Sequence, residues 1–185
     1  LISLGLDSGI PDGQVLTANI SSVTTLNVSN KNIADLTGIQ DFTALTSLNC
    51  SNNQLIALNV SSNTALISLD CSNNQLMSLD VTQNVNLISL KCLTNHLTAF
   101  DPSENLNLNY LDCGLNALPS LDVSKNVALE YLLCSSNSLS TLDVSKNVAL
   151  KVLQCGANEL SFLDVSKNVA LQSLNCISNQ LTNLN

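Results

Sequence analysis

The hydrophobic positions of this chain keep a 21-residue period. Leucine stands at Leu45, Leu66, Leu87, Leu108, Leu129, Leu150 and Leu171, and again three residues on, from Leu48 to Leu174. Two beyond the second leucine comes a cysteine: Cys50, Cys71, Cys92, Cys113, Cys134, Cys155 and Cys176. Asparagine fills the slot three after every cysteine, from Asn53 to Asn179, and leucine returns two later, from Leu55 to Leu181. The unit reads L-x-x-L-x-C-x-x-N-x-L. Leucine and cysteine two apart between polar residues predict a short strand with one buried face. A fixed period of this size predicts a solenoid in which one supersecondary unit stacks on the next. The strands should then lie side by side in a parallel sheet, about 4.8 Å apart. The asparagine falls where the chain turns off the strand. Its amide both donates and accepts, so a ladder of asparagines can satisfy the backbone of neighbouring turns.

The return half of each unit is as regular. Leu58, Leu79, Leu121, Leu142, Leu163 and Leu184 lie eight after a cysteine, with Phe100 in the same slot. Val60, Val81, Val123, Val144 and Val165 follow two later, with Pro102 as the exception, and a second asparagine column runs through Asn63, Asn84, Asn105, Asn126, Asn147 and Asn168. Leu-x-Val has period 2 and predicts a short extended segment on the convex side. A unit this short leaves little room for an α-helix, so the solenoid should be nearly all-β. The first unit differs: Val28 to Cys50 is 22 residues, and Ile33, Leu36, Ile39, Phe42 and Leu45 recur every third position. That spacing suits a short 3₁₀ or helical return. We place an N-terminal cap at residues 1–22 and the repeats at 23–185. A solenoid end exposes a raw core face, and Leu1, Ile2, Leu4, Val15, Leu16 and Ile20 could cover it on short amphipathic helices. Asp7, Asp12 and Gly13 faintly resemble a calcium loop but lack its alternating oxygen ligands and terminal glutamate. A turn and a cap are the better reading.

Composition narrows the class. At 185 residues one elongated domain is expected; hydrophobic residues make up 45%, with two tyrosines, three phenylalanines and no tryptophan. Stacked leucine columns need no larger filling. No apolar run approaches the ~20 residues that span a bilayer, so no membrane insertion is expected. The net charge is −8 and all six basic residues are lysine. Without arginine, and with an acidic surface, no nucleic-acid binding is expected. Asp80, Asp101, Asp122, Asp143 and Asp164 form one column on the return side. We read them as hydrogen-bonding loop positions rather than a calcium ladder, since no second or third periodic carboxylate accompanies them. The thiols invite disulfides, metal or packing. In-register strands hold Cβ atoms near ~4.8 Å whereas a bridge wants about 3.8 Å. Zinc needs ligands converging from several directions. Packing as small hydrophobes is preferred, and no metal or other cofactor is expected.

With the cysteine column placed, the repeat resembles the leucine-rich repeat with cysteine in a leucine position. The units LTSLNCSNNQLIALNVSSNTAL (45–66) and LEYLLCSSNSLSTLDVSKNVAL (129–150) are similar to the cysteine-containing 21-residue repeats of the internalin J type. The resemblance covers roughly residues 23–185 and implies a leucine-rich repeat solenoid: a right-handed, horseshoe-like superhelix of β-rich content, with its parallel sheet on the concave side and short extended or 3₁₀ segments on the convex side. It also implies an adhesion or recognition protein, secreted or displayed on a bacterial surface, with no shared ligand. Nothing in the chain resembles the internalins' downstream domain or a wall anchor. With no initiator methionine, no leader and a stop in mid-repeat at Asn185, the sequence reads as a piece of a longer mature protein.

Catalytic constellations are lacking. The one histidine, His96, occupies a slot otherwise held by Gln54, Gln75, Ala117, Ser138, Glu159 and Gln180, which reads as solvent-facing. No nucleophile elbow or phosphate loop is present. A binding module is expected, not an enzyme. The informative positions lie three before, one before and one after each cysteine, which should point outward on the concave side. Early repeats carry Ser47, Asn49, Ser51 and then Ser68, Asp70, Ser72 there; the middle ones carry Ser89, Lys91, Leu93, then Tyr110, Asp112, Gly114, then Tyr131, Leu133, Ser135, then Val152, Gln154, Gly156. The two tyrosines should stand about 5 Å apart. Lys91, Leu93, Tyr110, Asp112, Tyr131, Leu133, Val152 and Gln154 are the candidate binding residues, for a protein or glycan ligand, on a chain expected to be a monomer. The alternative for these residues is drift at tolerant positions with cross-strand stacking. The alternative for the whole chain is a structural spacer carrying another domain.

Overall fold

The structure is a computed structural model, describing residues 5–8 and 14–184. It is a parallel-strand solenoid. Eight three-residue strands form one sheet in the order β1 (Thr25–Asn27), β2 (Ser47–Asn49), β3 (Ser68–Asp70), β4 (Ser89–Lys91), β5 (Tyr110–Asp112), β6 (Tyr131–Leu133), β7 (Val152–Gln154) and β9 (Ser173–Asn175). Register follows the period without a slip: Leu48 pairs Leu69, Leu69 pairs Leu90, and so on to Leu174. Each cysteine extends the ladder by one bond, its N–H donating at 2.7–2.9 Å to the carbonyl of the last strand residue in the next repeat, from Cys50 to Asp70 through Cys155 to Asn175.

The buried face is leucine and cysteine. Leu66, Leu69, Cys71 and Leu76 are fully enclosed, and their counterparts repeat this through Cys155 and Leu160. All seven thiols are free; six are buried and Cys176 is half-covered. Fully enclosed Leu positions of this kind cost about 2–5 kcal/mol each when cut to alanine.

The first asparagine column performs the bridging its position implied. The Asn74 amide donates to the Cys50 carbonyl of the preceding repeat at 3.1 Å and to Cys71 at 3.0 Å, while its oxygen accepts the Leu55 N–H at 3.0 Å. Asn95, Asn116, Asn137 and Asn158 repeat this pattern. The second column is fully enclosed and only donates. Asn126, for example, gives both amide hydrogens to the Pro102 and Asn105 carbonyls at 2.9 Å, and its oxygen finds no donor.

Between strand and first asparagine lies a feature the hydrophobic pattern does not announce. The residue two after each cysteine has positive φ: Asn52, Asn73, Thr94, Leu115, Ser136, Ala157 and Ser178, all between 49° and 57°. Asn30 takes the same conformation two after Val28. This left-handed step turns the chain sharply enough to aim the N–H of Thr94 at the Gly114 carbonyl (3.0 Å) and that of Leu115 at Ser135 (2.9 Å).

Beyond the first unit the return segments are short and non-helical, as expected. Among the described residues they pair as strand once, where β8 (Phe162–Leu163) runs parallel to β10 (Asn183–Leu184), and elsewhere the Leu-x-Val stretches form no ladder. Two expectations need correction. At the amino-terminal end a single four-residue helix, α1 (Thr17–Ile20), is described; Ile20 is buried, Val15 is half-buried, and Leu16 is exposed instead of capping. The cap residues Leu1, Ile2, Leu4, Asp12 and Gly13 lie outside the described residues. Second, the positions one after the cysteine do not form one outward row: Ser51, Ser72, Gly114 and Gly156 are buried, Leu93 and Ser135 half-buried and Ile177 exposed. The first unit does return through a 3₁₀ turn, Ile39–Asp41, entered through Gly38 at φ 101°.

Candidate binding surface

Register assembles the middle repeats into two rows on the exposed face of the sheet. One row reads Ser89, Tyr110, Tyr131, Val152; the other reads Asp70, Lys91, Asp112, Leu133, Gln154. Tyr110 and Tyr131 lie with ring centroids 5.7 Å apart and planes tilted by 31°. The Lys91 ammonium sits 5.4 Å from the centre of the Tyr110 ring, within cation–π range. Lys91, Leu93, Tyr110, Tyr131, Leu133, Val152 and Gln154 are all half-buried, as side chains standing shoulder to shoulder on adjacent strands must be.

Asp112 departs from the outward-pointing expectation: it is 8% exposed. Its carboxylate accepts the Gly114 N–H at 3.2 Å, two residues on. Asn49 and Asp70 make the same contact to Ser51 and Ser72. Ser51, Ser72, Gly114 and Gly156, each one after its cysteine, are buried rather than presented, whereas Ile177, which donates the same N–H to Asn175, is exposed. At Gly114 an added Cβ would meet the Ser135 carbonyl at 3.1 Å and Leu93 Cδ1 at 3.4 Å. Leu93 therefore lies at the rim of the patch, leaning over Gly114. Burial is the main influence raising the Asp112 carboxyl above its usual range, with the Gly114 N–H and Lys91 opposing and Asp70 adding. The Tyr110 phenol is likewise raised, by burial first and then by Asp112 and Asp70.

Flanking the patch, Lys151 and Glu130 meet at 2.8 Å. Among the described residues no group of three or more His, Cys, Asp or Glu side chains is placed to hold a metal ion, and no helix is long and apolar enough to cross a membrane. The return-side aspartates each close their own turn: Asp80, Asp101, Asp122, Asp143 and Asp164 accept the N–H two residues on at 2.8–2.9 Å. His96 is exposed. Shallow grooves open beside Phe100, between Asp80 and Asp101, and beside Phe162, between Asp143 and Asp164.

One surface column escaped the repeat reading. Val85, Leu106, Val127, Val148 and Val169, seven before their cysteines, are all exposed. The signal was present in the sequence: LDVSKNVAL occurs three times without change, at 121–129, 142–150 and 163–171.

No family model matches the chain, and no curated protein is detectably similar in sequence. Solved structures are. The functional domain of InlJ from Listeria monocytogenes, which includes a cysteine ladder, is 37% identical with a TM-score of 0.78, over 92% of this chain and 43% of that one. A leucine-rich repeat protein of Leptospira interrogans, LIC12759, is 26% identical with a TM-score of 0.83, over 90% of this chain and 46% of that one. Internalin C2 of L. monocytogenes, at 20% identity and a TM-score of 0.83, matches 91% of this chain and 77% of its own, and shows the fold alone. The chain thus spans under half the length of the InlJ and Leptospira structures. It is a leucine-rich repeat solenoid of the cysteine-ladder kind, built like InlJ.

Proposed function

We propose that this chain is a non-catalytic recognition module, exported to a bacterial surface or secreted, which holds a protein or glycan ligand on the exposed, concave face of its main sheet. The site is the patch formed by Lys91, Leu93, Tyr110, Asp112, Tyr131, Leu133, Val152 and Gln154. The location rests on the likeness to InlJ and on the surface display that the internalin resemblance implies.

One observation carries the choice of face. The nine-residue stretch LDVSKNVAL is identical in three successive return halves, yet the four strands they connect read YLD, YLL, VLQ and SLN. Variation within near-copies of one unit falls mainly in the half that builds the sheet and the turn after it; on the return side it is confined to the pairs Pro119–Ser120, Ser140–Thr141 and Ser161–Phe162. Scaffold positions of the sheet half stay fixed as Leu132 and Leu153, Cys134 and Cys155, Asn137 and Asn158. Serine occupies the tyrosine slot at Ser47, Ser68, Ser89 and Ser173 and valine at Val152, so the core does not require aromatic rings at Tyr110 and Tyr131. Aromatic residues gathered on an open face are typical anchors of contact surfaces.

The test is to display the chain against a glycan array and a panel of extracellular proteins, then to repeat each positive with Tyr110→Ser/Tyr131→Ser. Circular dichroism should show an unaltered fold and binding should fall at least about tenfold, the loss expected when anchor residues are removed. Full binding by a folded double variant would move the site elsewhere. No ligand in either screen would favour a spacer.

A further inference from the structure

The chemistry of the patch points to the charge of what it holds. Asp112 is nine-tenths buried beside two tyrosines and a leucine, and its one hydrogen bond among those resolved is the Gly114 N–H. Lys91 and Asp70 share its row, but no ion pair closes: among the described residues the lysine–carboxylate contact within 4 Å is Lys151 with Glu130. Lys91 instead lies over the Tyr110 ring. The ring face therefore already accepts an ammonium, while the adjacent carboxylate has no cation in contact. A ligand covering Tyr110 and Tyr131 would strip remaining water from Asp112, which is strongly unfavourable unless the ligand brings a positive charge. An anionic ligand would meet Lys91 flanked by Asp70 and Asp112, on a chain of net charge −8. Burial already raises the Asp112 carboxyl, and a cation in contact would reverse that shift.

We infer that the occupant of the patch is a basic segment of a partner protein, whose lysine or arginine side chain seats on the Tyr110–Tyr131 pair with Asp112 as its counter-charge. The inference rests on the patch being the binding face and adds the partner's chemistry.

The chain supplies its own reporter. Tyr110 and Tyr131 are its only tyrosines and it has no tryptophan, so tyrosine emission reads this patch alone. The probes are a twelve-residue peptide alternating arginine or lysine with leucine and serine, free of aromatic residues, and its glutamine-substituted and glutamate-substituted counterparts. Each is titrated into the wild type, Asp112→Asn, the control Asp143→Asn, and Tyr110→Ser/Tyr131→Ser, whose lost tyrosine emission is replaced by a fluorescent dye on the peptide, read in the wild type as well. Asparagine is compatible with both carboxylate slots, since Asn49 makes the Asp112-type turn and Asn59 the Asp143-type turn.

The basic peptide should perturb tyrosine emission and bind at least about tenfold more tightly than the glutamine peptide. Asp112→Asn should lose about tenfold and Asp143→Asn, which removes the same charge from the return side, should change nothing. Equal loss in both asparagine variants, equal binding of the basic and glutamine peptides, or no basic-peptide binding at millimolar concentration would each overturn the inference. If the glutamine peptide or a screened ligand binds, needs the tyrosines and ignores Asp112, the binding face stands and the basic partner does not. If nothing depends on the tyrosines, the face itself is wrong.

Discussion

Thr94 and Leu115 occupy a backbone conformation that suits neither. Both sit at φ near 50°, in the slot where Asn52 and Asn73 stand in earlier repeats. An L-residue there clashes with its following carbonyl, a cost of roughly 1–2 kcal/mol that asparagine offsets through local hydrogen bonding. Thr94→Asn and Leu115→Asn should each raise stability by about 0.5–1 kcal/mol, seen as a higher urea midpoint at unchanged slope. A lower midpoint for both would mean that the native side chains contribute packing worth more than the strain. The same slot shows where residue-level reading succeeds and fails. Asn30, Asn52 and Asn73 advertise a turn; Thr94, Leu115 and Ala157 conceal it, because stacking on a neighbouring turn enforces the conformation whatever the side chain. Tyr110 and Tyr131 were legible as neighbours from their shared slot alone. The burial of Asp112 was not, since Asn49, Asp70 and Asn175 occupy the same slot and make the same turn without being buried, so the slot alone does not announce it.

Among elements, the asparagine turns hold one repeat to the next, and their donors do more than their acceptors. Asn126 is fully enclosed and gives both amide hydrogens to the preceding repeat, while its oxygen finds no donor. Asn126→Asp keeps the shape and removes the donors, leaving a carboxylate among carbonyl oxygens. A loss of about 3 kcal/mol or more is expected at pH 7. The sign with pH follows from linkage. The buried acid would have its folded-state pKa raised, so the ionisation penalty is absent below the unfolded-state value near 4 and grows as pH rises above it. Chemical denaturation at pH 4 and pH 7 should therefore show the variant closer to wild type at pH 4. An equal deficit at both would mean that loss of the two hydrogen bonds, not charge burial, sets the damage. Strands and register were readable because one cysteine period fixes both. The return half was less so: Leu-x-Val has strand periodicity in every unit, yet only Phe162–Leu163 and Asn183–Leu184 pair as strands. Side-chain alternation records which positions are buried, and cannot record whether the backbone beside them has a partner.

Across the whole molecule, the cysteine column works as a set of built-in stability probes. Burial pushes the Cys113 and Cys155 thiols up to about 12, and Cys71, Cys92 and Cys134 upward as well. At pH 8 they are protonated and shielded, so alkylation requires the repeat to open. Cys176 is half-covered and should react in the native state. In a solenoid each unit touches only its neighbours, and stability is approximately a sum of unit and interface terms. In this 185-residue segment taken by itself, opening should then cost less at an end than in the middle, where two interfaces must break. Pulse alkylation in sub-denaturing urea, read peptide by peptide by mass spectrometry, should label Cys176 first, Cys155 next, and Cys92 and Cys113 last. Simultaneous labelling of Cys155 and Cys113 would show that the array opens as a single cooperative body.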